Sequence, residues 1–233
     1  MSTLLVFGAR NLGRAIARSF AGDGWNVAAV ARSRETLDAL TGELPDALGI
    51  EADASRADDV ERAFAETARP FGPPDLVVNA ISIGVSGAPL AEAAPDAMAP
   101  YLETLVPAIF NVVRIAARVL GERGRGTLVQ VTGGSARRGL PGRGQWAAAA
   151  FASRALLQSA ALELRERGVH AALLIVDATI ESPKTQAFLG DRPPEATAAE
   201  DDVVAAVRYL EAQSPRGWTH ELQITPRLDR FLP

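Results

Sequence analysis

Three groups of side chains in this sequence have the types and spacing that binding or catalysis needs. The first is Gly8-Ala9-Arg10-Asn11-Leu12-Gly13, set between an apolar run and an amphipathic one. A glycine turn from strand to helix leaves backbone N–H groups and the positive end of the helix dipole facing outward, an arrangement suited to a pyrophosphate. Glycine is needed there where the chain takes positive φ or approaches a ligand closely, and Asn is the side chain that best tolerates left-handed backbone. The same turn would serve as a plain connection. The second group is Arg32-Ser33, ending the next apolar run, where a site selecting an unphosphorylated ribose carries Asp or Glu. Arg32 together with Arg10 suits a ribose 2′-phosphate, because guanidinium forks match phosphate oxygens. The alternative is two solvated arginines. The third group is Thr132, Ser135 and Asp177, polar residues at the ends of later apolar runs, where ligands bind in open α/β sheets. Asp177 reads either as an acid/base or as the cap of the following turn.

Other chemistry is set aside by composition. The chain has no cysteine, and its two histidines, His170 and His220, lack ligand spacing, so no metal site is expected. A net charge of −4 over 233 residues gives no basic footprint for nucleic acid. No apolar run is read as approaching the roughly 20 residues of a membrane span, and no signal peptide is read at the N-terminus, so a cytoplasmic protein is expected. The basic residues are arginines except for Lys184, and heavy Ala and Arg usage fits a GC-rich bacterial gene.

The elements that must position these residues alternate between short apolar runs and helical patterns. That order predicts an α/β fold, a Rossmann-type doubly wound parallel sheet in a single domain covering residues 1–233. Strands are expected at Leu4–Gly8, Asn26–Ala31, Ile50–Asp53, Asp75–Asn79, Thr127–Thr132, Ala171–Val176 and, at an edge, Leu222–Thr225. Helices are expected at Leu12–Gly22, from a Ser33 cap to Leu40, and after a capping box at Ser55–Asp58. Further helices are expected at Pro95–Gly121 with a kink at Pro107, at Trp146–Arg167, and at Ala199–Ala212. Pro183–Pro194 reads as a mobile loop.

Taken in order, these segments resemble the short-chain dehydrogenase/reductase family over essentially the whole chain. The glycine turn resembles that family's Thr-Gly-x-x-x-Gly-x-Gly loop, one residue short and with Asn11 in place of the middle glycine. Asp53-Ala54 stands where the family contacts adenine. Asp75-Leu76-Val77-Val78-Asn79-Ala80 resembles its Asp-x-Leu-Val-Asn-Asn strand, with Ala80 replacing the second Asn. Gly217–Leu222 followed by Thr225-Pro226 resembles the closing strand. The resemblance implies a cofactor set of Gly8, Arg10, Asn11, Leu12, Gly13, Arg32, Ser33, Asp53, Ala54, Asn79, Ala80, Ile81 and Ile180. It implies NADP(H), favoured over NAD(H) by the two arginines. It also implies a homodimer or homotetramer formed through the helix from Trp146 and its predecessor.

The family's catalytic side chains are missing. They are a Tyr-x-x-x-Lys pair, a serine and an asparagine. A phenol ionising near pH 10 needs a shift of about 3 units, or about 4 kcal/mol, to work near neutrality, and the lysine one turn away supplies much of it. Registering Ala161-Leu162-Glu163-Leu164 on the family's pattern puts Trp146 at the tyrosine position and Ala150 at the lysine. Gly133 then takes the serine position and Leu105 the asparagine. Indole N–H donates but does not titrate in this range, so Trp146 is either a filler or a recognition surface. Asp177, Thr132 and Ser135 are the substitute candidates, whereas Ser153 and Arg154 are expected to face elsewhere. Three function classes follow: an atypical NADP(H) oxidoreductase; a non-catalytic nucleotide-binding sensor or partner; and a non-redox isomerase, dehydratase or cyclase in the old pocket.

Overall fold

The computed structural model describes residues 1–84, 87–183 and 185–229. Lys184 therefore lies outside the described residues. The chain alternates β1 (Thr3–Phe7), α1 (Leu12–Gly22), β2 (Asn26–Ala31), α2 (Arg34–Glu43), β3 (Leu48–Glu51), α3 (Ala57–Phe71) and β4 (Leu76–Asn79). It continues with α4 (Val106–Arg123), β5 (Gly126–Gly133), α5 (Gly144–Arg165), β6 (Val169–Val176), α6 (Gln186–Leu189), α7 (Glu200–Glu211) and β7 (Glu221–Ile224). All strand pairs are parallel, in the order β3-β2-β1-β4-β5-β6-β7. The order reverses between β1 and β4, so the crevice where ligands bind in such sheets opens beside the C-terminal ends of these two strands.

Both sheet faces are covered, which is why the strands are apolar runs rather than alternating ones. Leu5, Phe7 and Val77 join Val60, Ile109, Ile115 and Leu157 in a core under α3, α4 and α5. Leu4, Val6 and Val78 join Ile16, Phe20, Leu40, Val203 and Val207 in the other, under α1, α2 and α7. Arg208 fixes α7 on α1: its Nε donates to Ser19 Oγ at 2.9 Å, its Nη1 meets Asp23 Oδ2 at 2.6 Å, and its guanidinium lies 4.5 Å from the Phe20 ring centroid.

Several expected boundaries are corrected. The long helix does not start at Pro95. A π-helical turn at Tyr101–Leu105 leads into α4, and Pro107 sits in the first turn of α4 instead of kinking its middle. Proline has no N–H to donate back into the preceding turn, so the regular ladder begins only after it. Ser55 does not cap α3, whose N-cap Arg56 makes no side-chain cap bond. Instead Asp53 Oδ1 accepts from the Ser55 N–H and Oγ, and Asp59 Oδ2 accepts from the Asp53 N–H. That bond and Arg62 hold the Asp59 carboxyl below its usual range. The third strand lies two residues earlier than expected, and the 183–194 stretch contains α6. The segment Tyr101–Arg123 is long and apolar enough to cross a membrane by length and composition, which corrects the reading of no such run. Ala108, Ile109, Val112, Ile115, Ala116 and Leu120 of that segment are buried in the core against the sheet and α5.

Candidate functional site

The glycine turn is pinned between β2 and β4. Gly8 and Ala9 N–H groups donate to Val30 O at 2.9 and 3.1 Å, which ties the turn to the strand end that carries Arg32. Gly8 has φ +89°, and a Cβ there would lie 2.9 Å from Ala80 backbone atoms; a Cβ on Gly13 would lie 2.1 Å from Gly8 O. Both glycines are therefore required by close backbone approach. Asn11 has φ 49° and ψ −114° and is, among the described residues, the sole non-glycine at positive φ. Its side chain does not cap α1, and the first turn of α1 has no acidic residue. The α1 N-terminus thus presents donors and dipole without a built-in anion. Arg10 and Arg32 are exposed and form no ion pair among the described residues. Leu12 is buried in the core.

Other members of the expected cofactor set have mainly structural contacts. Ser33 Oγ caps α2 by accepting from Thr36 N–H at 3.3 Å, as expected. Asn79 is fully buried: its Nδ2 donates to Gln130 Oε1 at 2.8 Å, and its Oδ1 accepts from Ile81 N–H at 3.2 Å. It therefore shapes the Ala80–Ile81 wall rather than reaching a ligand with its own amide. Asn111, which the sequence reading did not single out, donates to Ala54 O and Ser55 O at 3.0 Å each and so holds the turn that carries Asp53. Ile180 bridges to Ala198, and its carbonyl accepts from Thr185 Oγ1.

Gly133, Trp146, Leu105 and Ala150, the residues that the register assigned to the four catalytic positions, have the following surroundings. A Cβ on Gly133 would lie 3.8 Å from Trp146 Nε1, so the indole stands against the place a serine side chain would start. Trp146 meets Tyr101 edge-on at a centroid distance of 6.2 Å. Leu105 and Ala150 are each 3% exposed, and neither side chain titrates. Thr132 lies 3.5 Å from Ser153 Oγ, and Ser153 also donates to Ala150 O at 2.7 Å. Ser153 therefore faces β5, contrary to expectation. Ser135 is buried in the short turn after β5.

Asp177 is engaged. Arg138 Nη2 lies 3.0 Å from its Oδ1 and 2.9 Å from its Oδ2, and Gln223 Nε2 donates to Oδ2 at 3.2 Å. The pair is secluded, with 16% of the Arg138 side chain and 13% of the Asp177 side chain exposed. A Cβ on Gly134 would lie 1.8 Å from Asp177 Oδ1, so this glycine gives the carboxylate its seat. Asp177 thus ties the loop after β5 to the ends of β6 and β7. An acid/base role would require it to leave two partners. No sequence pattern points to Arg138, which lies on an irregular segment 39 residues away.

The profile of a family described as short chain dehydrogenase matches residues 2–187. Curated relatives include the 3-oxoacyl-[acyl-carrier-protein] reductase of Staphylococcus aureus, 28% identical over 173 residues, covering 72% of this chain and 70% of the relative. A serine 3-dehydrogenase of Agrobacterium fabrum is 32% identical over 112 residues, 47% of this chain and 45% of the relative. A solved short-chain dehydrogenase from Rhodopseudomonas palustris superposes with a TM-score of 0.80 at 26% identity, covering 97% of this chain and 98% of the other. An alcohol dehydrogenase from Thermococcus sibiricus, solved with 5-hydroxy-NADP, gives a TM-score of 0.86 at 24% identity over 100% of both chains. With the profile spanning most of the sheet and its helices, the chain belongs to the short-chain dehydrogenase family.

Proposed function

We propose that this chain binds a nicotinamide dinucleotide, NADP(H) in preference to NAD(H), at the β1–β4 crevice as an atypical oxidoreductase in which Tyr/Lys-dependent carbonyl reduction does not operate. Family membership supports the nucleotide, and the residues present fit it. The α1 N-terminus is uncapped, the Gly8–Gly13 turn packs closely enough to exclude side chains, and Arg10 and Arg32 are unpaired among the described residues. Backbone donors at the α1 N-terminus would hold the pyrophosphate, and Arg32 with Arg10 would hold the 2′-phosphate. When bound, the nicotinamide supplies the hydride. The observation that carries the negative half is the contact of Trp146 with Gly133. At the place where a phenol and a serine would share the substrate oxygen, this chain offers one indole N–H and no group that titrates near neutrality. A cofactor-binding protein without turnover is the second reading, favoured by the engagement of Asp177 with Arg138 and Gln223.

Nicotinamide fluorescence during NADPH and NADH titrations is the direct test. NADPH should bind several-fold tighter, and Arg32→Ala should weaken that preference. Equal affinities, or no effect of the substitution, remove the 2′-phosphate argument; binding of neither nucleotide removes the proposal. Two further points belong to the same reading. A homodimer or homotetramer paired through α4 and α5 would cover Phe110 and Phe151, now 47% and 43% exposed on those helices. Light scattering that shows a monomer at micromolar concentration excludes it. A cytoplasmic setting is the second point, and fractionation of cells that express the protein tests it.

A further inference from the structure

Beside the Trp146 end of the site lies an open cleft of ≈ 610 Å³. Its walls come from the segment after β4 and the π-turn before α4 on one side, and from the start of α5 on the other. The two sides are locked together: a Cβ on Gly87 would lie 1.8 Å from Gly142 O, and one on Gly144 would lie 2.9 Å from Leu90 Cδ2. Small residues such as Ala88 and Ala97 leave the room, and the polar lining is one-sided in charge. Asp96 and Glu103 contribute carboxylates, Thr104 a hydroxyl and Gln145 an amide, while among the described residues no arginine or histidine lines the cleft.

Gln145 points to a ligand independently of those acids. It is 4% exposed, and its Oε1 is buried with no hydrogen-bond partner. An amide oxygen left in that state costs about 1–3 kcal/mol, and a donor brought in by a ligand recovers it after a small turn of the terminal torsion, which is soft. Gln145 also immediately precedes Trp146 on α5, so the cleft lies within one helical turn of the Trp146–Gly133 contact.

We propose that this cleft selects small organic cations, an ammonium on a short apolar body, with Gln145 Oε1 accepting an N–H and Glu103 and Asp96 balancing the charge. This names a substrate class for the site assigned above and rests on that assignment only for its catalytic meaning. Each exposed carboxylate contributes up to about fivefold in affinity, and the buried amide oxygen about tenfold.

Calorimetric titration of the whole protein with 2-phenylethylamine, 2-phenylethanol and 3-phenylpropionate tests it, since the three share a body and differ in charge. The amine should bind at least about tenfold tighter than the alcohol and the acid. Glu103→Lys, an exposed and structurally mild change, should abolish that preference, and Gln145→Met should weaken amine binding about tenfold while circular dichroism reports the fold intact. Equal binding of the three, best binding of the acid, no binding at all, or an amine preference untouched by Glu103→Lys each overturns the proposal. NADPH binding is read separately by its fluorescence. An amine-selective protein that binds no nucleotide refutes the function proposed above and leaves the cleft's selectivity standing. A nucleotide-binding protein without amine selectivity does the reverse.

Discussion

Replacing Asp177 by alanine separates a structural carboxylate from a catalytic one. The substitution leaves the Arg138 guanidinium and the Gln223 amide without the acceptor that both use. Removing one partner of a fully buried ion pair costs about 3–5 kcal/mol. Here 16% and 13% of the two side chains remain exposed, and water reaching Arg138 reduces the loss to about 2–3 kcal/mol. For a chain of this size each kcal/mol moves Tm by about 2–4 °C, so a fall of about 4–12 °C is expected in a reversible thermal scan. Gly134→Ala should reproduce much of that fall, because its new Cβ would occupy the position of Asp177 Oδ1 and evict the carboxylate. The double variant should then be clearly less than additive, since both changes break the same contact. The reasoning fails if Asp177→Ala melts within a degree or so of the native protein. A variant that melts like the native protein yet loses a measured turnover would point to Asp177 as the acid/base.

Asn11→Gly should raise stability by about 1 kcal/mol, because relief of about 1–3 kcal/mol of backbone strain exceeds the extra unfolded-state entropy of glycine; a lower Tm would show that the asparagine side chain has a stabilising partner. The native protein should reduce simple aldehydes and ketones with NADPH orders of magnitude below the ~1–10³ s⁻¹ of working enzymes, and turnover in that range would refute the vacant-site reading. Trp146→Tyr with Ala150→Lys should recover measurable reduction only with Gly133→Ser added, a change for which there is room because its Cβ makes ordinary contacts of 3.8 Å and longer. His170 is pushed below its usual value near 6.5 by burial, and by His220, against two backbone carbonyls that favour its proton. A depressed folded-state pKa means the unfolded chain binds the proton first, so His170 should cost stability as pH falls from about 6.5 through its folded value. The urea midpoint of the native protein should drop faster across that window than the midpoint of His170→Gln; equal slopes would rule the effect out.

The sheet was legible because its central strands are buried on both faces, so runs such as Leu4–Phe7 and Ala171–Val176 stand out as continuous apolar segments. The helices α1 and α7 were legible because their apolar periodicity agrees with the tertiary packing. The region from 95 to 106 was not, since alanines and prolines there carry no period and the π-turn depends on a missing N–H at Pro107. At the site, the neighbours Gly133 and Trp146 followed from register on a known pattern. The partners of Asp177 and the buried oxygen of Gln145 did not, because pairs such as Arg138–Asp177 are set by how loops fold over strand ends, which leaves no periodic trace.

The attachment of α7 to α1 bears on how the protein is made. Ser19 and Arg208 are separated by 189 residues, yet they meet beside the helix that begins at the glycine turn. Val203, Val207 and Leu210 are fully buried under the same sheet face as Leu4 and Val6. During synthesis β1 and α1 therefore leave the ribosome with one face unfinished, and Arg208 on the segment that covers it emerges 189 residues after Ser19. Contacts of such long separation form slowly and leave apolar surface open to aggregation in the meantime. The nucleotide end, though encoded first, is completed only after α7 has docked, so a change at Arg208 should lower the yield of soluble protein more than its distance from the glycine turn would suggest.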